Sequence, residues 1–141
     1  MFTDTLRLHH IGIVVPEIES AQSAYLQLGY QIATPIIHDE TQTAYVQFLK
    51  LGNADHYVEL VAPDGTDSKL SRASKAKQPL NHLCYSCGDI VSQCDLLSEN
   101  GWMLISAPTP AVAFGGRKIS WLMHKSWLLM ELVEAGKGDE L

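Results

Sequence analysis

The feature that most constrains this chain is an internal repeat with a spacing of 72 residues. Leu8-His9-His10-Ile11-Gly12-Ile13-Val14-Val15 returns as Leu80-Asn81-His82-Leu83-Cys84-Tyr85-Ser86-Cys87. Tyr57-Val58-Glu59-Leu60-Val61 returns as Leu129-Met130-Glu131-Leu132-Val133 in the same register. Two copies at this spacing fill a chain of 141 residues, a length that suits one compact domain or two small modules sharing a core. The repeat also carries chemistry, because it places one His and one Glu at equivalent positions in each half.

The rest of each half keeps the same offset. Ile18, Ala21, Tyr25 and Leu28 follow Pro16-Glu17 at helical spacing, and Ile90, Cys94 and Leu97 follow Gly88-Asp89. Gly29 and Gly101 stand where a helix ends in a left-handed residue. Strands are predicted over 30–36, 43–51 and 55–62 in the first half, and over 102–106, 117–124 and 126–133 in the second. Each half therefore reads strand, helix, three strands. The boundaries expected are 5–63 for the first module, 64–78 for a linker and 79–135 for the second. The polar run Pro63-Asp64-Gly65-Thr66-Asp67 opens that linker, and a short helix is expected near 68–76. The last residues, 136–141, read as frayed.

Composition narrows the function. A hydrophobic fraction of 46% with 18% charged residues belongs to an ordered globular protein. A formal charge of −6 argues against a nucleic-acid partner, since phosphates call for clustered Lys and Arg. No run approaches the roughly 20 apolar residues of a membrane helix. Met1-Phe2-Thr3-Asp4 does not open a secretory signal, so the faint retention-like tail Gly138-Asp139-Glu140-Leu141 carries little weight. A cytoplasmic location is the expectation. Of the three cysteines, Cys84 and Cys87 form a CxxC, but along a strand they point to opposite faces and no second CxxC completes a zinc site. They and Cys94 read as small buried hydrophobes.

The two His/Glu pairs carry the functional signal. Glu131 sits among Leu128, Leu129, Met130, Leu132 and Val133. An ionised carboxylate in such a strand is costly to bury unless it is paired, hydrogen-bonded or bound to a metal. A lone strand His or Glu is usually structural or solvent-facing. Four such residues in one register, His10, Glu59, His82 and Glu131, converge better on a cation. His9 is the rival to His10, but His10 is the residue in register with His82; His9, His38, His56 and His124 read as surface or loop residues. The mixed nitrogen and oxygen donors suit Zn, Ni, Co, Mn or Fe without selecting one.

From about Leu6 to Gly136 the chain resembles the vicinal oxygen chelate superfamily, which includes glyoxalase I, methylmalonyl-CoA epimerase, extradiol dioxygenases and bleomycin-resistance proteins. The resemblance rests on LHHIGIVV, YVELVAP, LNHLCYSCGDI and LLMELVE. It implies an α+β fold in which two tandem βαβββ modules form a half-open, curved, mixed β-sheet barrel around a metal site. It implies the same ligands, His10, Glu59, His82 and Glu131, around one octahedral divalent ion with open positions. There the metal would polarise a carbonyl oxygen and stabilise an enolate. It also implies a homodimer, in which family members cover an open sheet edge.

Within the superfamily, HHIGIVVPEIESA, ELVAPDGTDS and FGGRKISWL resemble the epimerase branch. That implies an acyl-CoA substrate, with Arg117 or Lys118 of Phe114-Gly115-Gly116-Arg117-Lys118 meeting a carboxylate or phosphate; a plain hairpin with solvated charges is the alternative. Some epimerases carry an extra Glu on the third strand of the first module. Thr43–Leu49 has none, and its long polar side chains are Gln47 and Tyr45, with Gln47 the candidate for substrate contact. The base is then Glu131 or Glu59, a pattern that resembles glyoxalase I, whose substrate is a glutathione adduct. A drug-binding resistance-type protein is the third alternative, although such members generally lose the metal residues.

Overall fold

The computed structural model describes residues 6–137 and residue 141; Met1–Asp4 and Gly138–Glu140, on which the reading of the chain ends rested, lie outside them. The fold is α+β. Contacts divide the chain into one unit formed by His10–Asn81 and a second formed by the stretch up to His9 together with His82 onwards.

In the first unit, β1 (Arg7–Val14) runs parallel to β5 (Tyr57–Pro63), with Gly12 opposite Glu59. β5 is antiparallel to β4 (Ala44–Leu51), with Phe48 opposite Glu59. β4 in turn pairs with β2 (Tyr30–Ile32) and with β3 (Ile37–Asp39). Strand alternation sorts these residues onto two faces. Leu49, Val58, Leu60 and Ala62 pack with Val15 and Ile18 beneath α1 (Ile18–Gln27), joined by Ile13, Ala21, Tyr25 and Tyr30. Each fully buried aliphatic side chain in that layer contributes roughly 1.5–3 kcal/mol. His10, Phe48, Glu59 and Val61 alternate with them and take the opposite face.

The second unit repeats this plan. β6 (Leu80–Cys87) is parallel to β9 (Leu129–Glu134), with Cys84 opposite Glu131. β9 is antiparallel to β8 (Lys118–His124), with Trp121 opposite Glu131, and β8 pairs with β7 (Trp102–Pro110). Cys87, Leu122, Met130 and Leu132 pack against Ile90, Cys94 and Leu97 of α3 (Ile90–Ser98). His82, Cys84, Trp121 and Glu131 alternate onto the other face. The two cysteines of the CxxC thus lie on opposite faces, and both are buried. Burial also pushes the Cys94 thiol up, which keeps it unreactive.

Both helices end as their glycines predict, with φ +99° at Gly29 and φ +93° at Gly101. Their starts differ. Asp89 accepts the backbone N–H of Ser92, whereas Glu17 makes no side-chain cap. The short connecting helix α2 spans Ser71–Lys75, within the expected range.

Two strand expectations need correction. The predicted strand over 30–36 stops at Ile32, because the N–H groups of Ala33 and Thr34 both turn to the Phe48 carbonyl just before Pro35. Pairing with β4 resumes at Ile37 as the separate strand β3. The strand expected over 102–106 continues to Pro110, through register shifts near Ser106. A single 3-10 turn, Val112–Phe114, then leads to Gly115 and Gly116, both left-handed.

Candidate active site

Each unit carries one buried His/Glu pair. In the first, His10 Nε2 lies 3.3 Å from Glu59 Oε1, with side-chain exposures of 0% and 8%. In the second, His82 Nε2 lies 3.3 Å from Glu131 Oε1, with exposures of 2% and 4%. The strand register produces both. Glu59 sits opposite Gly12 and Glu131 opposite Cys84, each two residues past the histidine on the adjoining parallel strand. Histidine and carboxylate therefore share a face and meet diagonally.

An aromatic ring completes each pair, and sequence reading missed it. Phe48, the cross-strand neighbour of Glu59, stands edge-on to His10 at 5.2 Å between centroids. Trp121, the neighbour of Glu131, stands edge-on to His82 at 4.6 Å. These two residues are 73 apart, not 72, so the repeat alone hides their equivalence. Counting outward along the strand opposite each glutamate would have found them.

His10, Glu59, His82 and Glu131 are all buried and all carry atoms able to ligate a divalent cation. Two imidazoles and two carboxylates in an apolar setting fit such an ion. Buried carboxylates need a compensating charge, and histidine nitrogens beside carboxylate oxygens form the mixed donor set that transition metals accept.

The residues expected to contact substrate take different places. Gln47 is buried on the α1 face of the sheet, where its Oε1 accepts from Gln22 Nε2 (2.7 Å) and its Nε2 donates to the Thr34 carbonyl (3.0 Å). That places Gln47 in the packing of the helix onto the sheet, while its neighbour Phe48 faces His10. Arg117 donates from Nε to the Phe114 carbonyl (3.2 Å), from Nη1 to the Glu134 carbonyl (3.1 Å) and from Nη2 to the Leu141 carbonyl. Its guanidinium also lies over the Phe114 ring. Arg117 thereby ties the glycine turn to the end of β9, and it lines a cleft of about 630 Å³ with Gly88, Gly115, Glu134 and Lys137. The Lys118 backbone N–H donates to Glu134 Oε2 (2.7 Å), and its side chain is exposed.

The remaining histidines are not all surface residues. His9 lies on β1, half-buried, with its ring edge-on to Phe114 at 5.4 Å. His38 pairs with Asp64 at 2.9 Å, and His124 Nδ1 accepts the backbone N–H of Ser126.

Paired βαβββ units with a buried His/Glu pair in each define a class. The chain belongs to the glyoxalase/bleomycin resistance protein/dioxygenase superfamily, whose sequence model matches residues 9–121. Among its relatives, the chain is 30% identical over 126 residues to the ethylmalonyl-CoA/methylmalonyl-CoA epimerase of Cereibacter sphaeroides, covering 86% of this chain and 90% of that protein. It is 31% identical over 140 residues to the uncharacterised protein YqjC of Bacillus subtilis, covering 95% of each. Among solved structures it matches a methylmalonyl-CoA epimerase of Streptomyces coelicolor in complex with 2-nitronate-propionyl-CoA. That match has a TM-score of 0.82 at 21% identity and covers 94% of this chain and all of the other. Among the described residues, no helix is long and apolar enough to cross a membrane.

Proposed function

We propose that this protein is a divalent-metal-dependent isomerase that moves the α-proton of a short acyl-CoA thioester, in the manner of a methylmalonyl-CoA epimerase. The observation that carries the reading is the duplicated buried pair, His10–Glu59 and His82–Glu131, with the same 3.3 Å contact in each unit. Similarity over most of the chain to an epimerase of ethylmalonyl-CoA and methylmalonyl-CoA supports the substrate class.

In this proposal His10, Glu59, His82 and Glu131 together hold one cation. When bound, that ion would supply Lewis-acid polarisation of a carbonyl oxygen, which makes the neighbouring C–H acidic. The protein's own groups do the rest. Glu131 or Glu59 takes the proton from the α-carbon and the same or the other carboxylate returns it, so the configuration can invert. Phe48 and Trp121 hold the two imidazoles and exclude water from the carboxylates, which strengthens every electrostatic contact there. Gly115, Arg117 and Lys137 at the cleft offer backbone access and positive charge to the anionic part of the ligand.

The test is solvent exchange at C2 of methylmalonyl-CoA in heavy water, measured beside the metal content of the protein. Exchange that needs bound metal and disappears in Glu131→Gln is the expected result. Turnover of the methylglyoxal–glutathione adduct without such exchange would overturn it in favour of a lyase. A protein that binds no divalent ion would overturn it altogether.

A further inference from the structure

The two halves of the site are not chemically equal, and the difference lies at Trp121. Phe48 and Trp121 occupy matching places, each opposite a glutamate and edge-on to a histidine. Phenylalanine offers only a ring edge, whereas tryptophan adds a donor. The Trp121 indole N–H is buried and finds no acceptor among the described residues. A buried donor left without a partner is costly, and native proteins rarely tolerate one that has no use.

A second observation concerns how that side chain is aimed. The β7–β8 ladder slips its register at Ser106, directly opposite Trp121. Ser106 Oγ accepts the Trp121 backbone N–H at 3.2 Å, and the Ser106 carbonyl accepts the Ser120 hydroxyl at 2.5 Å. The first unit breaks its ladder at the matching place, where Thr34 Oγ1 accepts the Phe48 backbone N–H at 3.1 Å, so the two rings are aimed alike and Trp121 alone of the two brings a donor. Irregularities of this kind bend a strand and re-aim its side chains, and they recur beside functional sites. Here the slip holds a half-buried indole on the face that carries His82 and Glu131.

We infer that the Trp121 indole N–H donates a hydrogen bond to an oxygen of the bound substrate, positioning it beside the His82–Glu131 pair. This rests on the acyl-thioester reading above. The acceptor is a carboxylate or thioester oxygen, each a strong partner for an indole donor in a dry site. The contact gives the ligand one orientation, because Phe48 cannot make its counterpart.

The test uses zinc-loaded protein labelled with ¹⁵N at tryptophan, titrated with methylmalonyl-CoA and separately with propionyl-CoA. The chain holds three tryptophans, so the indole spectrum has three resonances, and Trp121→Phe identifies the one concerned. Ligand should move the Trp121 indole proton downfield and leave Trp102 and Trp127 nearly unchanged. By calorimetry Trp121→Phe should bind methylmalonyl-CoA about tenfold more weakly, with unchanged zinc content. A penalty that persists with propionyl-CoA assigns the acceptor to the thioester oxygen; one confined to methylmalonyl-CoA assigns it to the carboxylate. Wild-type binding with an unmoved indole resonance, and affinity within about twofold in Trp121→Phe, would overturn the inference and leave the proposed function standing. Failure of the wild type to bind either thioester would overturn both.

Discussion

At the scale of the residue, Glu59 and Glu131 look alike: each is buried, each is 3.3 Å from a histidine and each faces an aromatic ring. A carboxylate that only balances charge can be exchanged for its amide at modest cost, but a proton carrier cannot. Glu131→Gln keeps size and hydrogen bonding while removing basicity. It is expected to lower C2 exchange at least a hundredfold, within the usual range for a general base, with little change in the melting temperature of the chelator-treated protein. Exchange near the wild-type rate would remove Glu131 from the chemistry. Phe48 makes a different case. It is fully buried and touches both His10 and Tyr57, so Phe48→Ala should cost about 3–5 kcal/mol in denaturant unfolding. A cost below about 1 kcal/mol would mean that the ring does not support the site.

At the scale of the element, the repeat sets two helices side by side as internal controls. Gly29 and Gly101 both adopt φ near +90°, where an added Cβ is strained by about 1–2 kcal/mol. Space separates them: a Cβ at Gly29 would meet Leu51 Cδ1 at 3.7 Å, whereas one at Gly101 would meet His124 Nε2 at 3.2 Å. Gly101→Ala should therefore destabilise more than Gly29→Ala, and equal losses in chemical denaturation would contradict the packing argument. The helix starts give a pH signature. Hydrogen bonds from the backbone N–H and hydroxyl of Ser92 hold the Asp89 carboxyl below the usual carboxylate range. A depressed folded-state value means that its stabilisation is complete above about pH 4 and fades as pH falls through the folded value. Asp89→Asn should lower the melting temperature at pH 7, and the gap should close toward pH 2. A gap that stays constant with pH would show that the cap acts without its charge.

The same elements show what was legible in the chain. Strand, helix and three strands were readable because alternation and helical spacing recur at a fixed offset, and both terminal glycines fell where predicted. β3 was not, because Pro35 interrupts a run that is apolar on both sides. Gln47 was chosen for its polarity, but alternation from Leu49 places it beneath α1. Arg117 was chosen for its charge, while its guanidinium also bonds three carbonyls around the glycine turn. Polar character is visible in a sequence; the face it occupies depends on register, and register is set by partners far along the chain.

At the scale of the whole molecule, the question is whether two similar pairs act as one site. Sequence equivalence and burial fit two independent pairs as well as one shared cation, but thermodynamics separates them. A ligand that binds only the folded state stabilises it in proportion to the logarithm of its concentration, by about 4 kcal/mol at a thousandfold excess over Kd. A chelator should remove that increment from the wild type. If one cation needs donors from both pairs, His10→Ala or His82→Ala alone should abolish most of the chelator-sensitive increment, and the double variant should lose no more than either single one. If each pair held its own ion, each single variant would lose about half and the double would lose the sum. Thermal or denaturant unfolding of the four proteins, with and without chelator, completes the cycle without reference to any substrate. Strong non-additivity between two residues 72 positions apart is the result expected of a duplicated fold whose two copies share a single metal site.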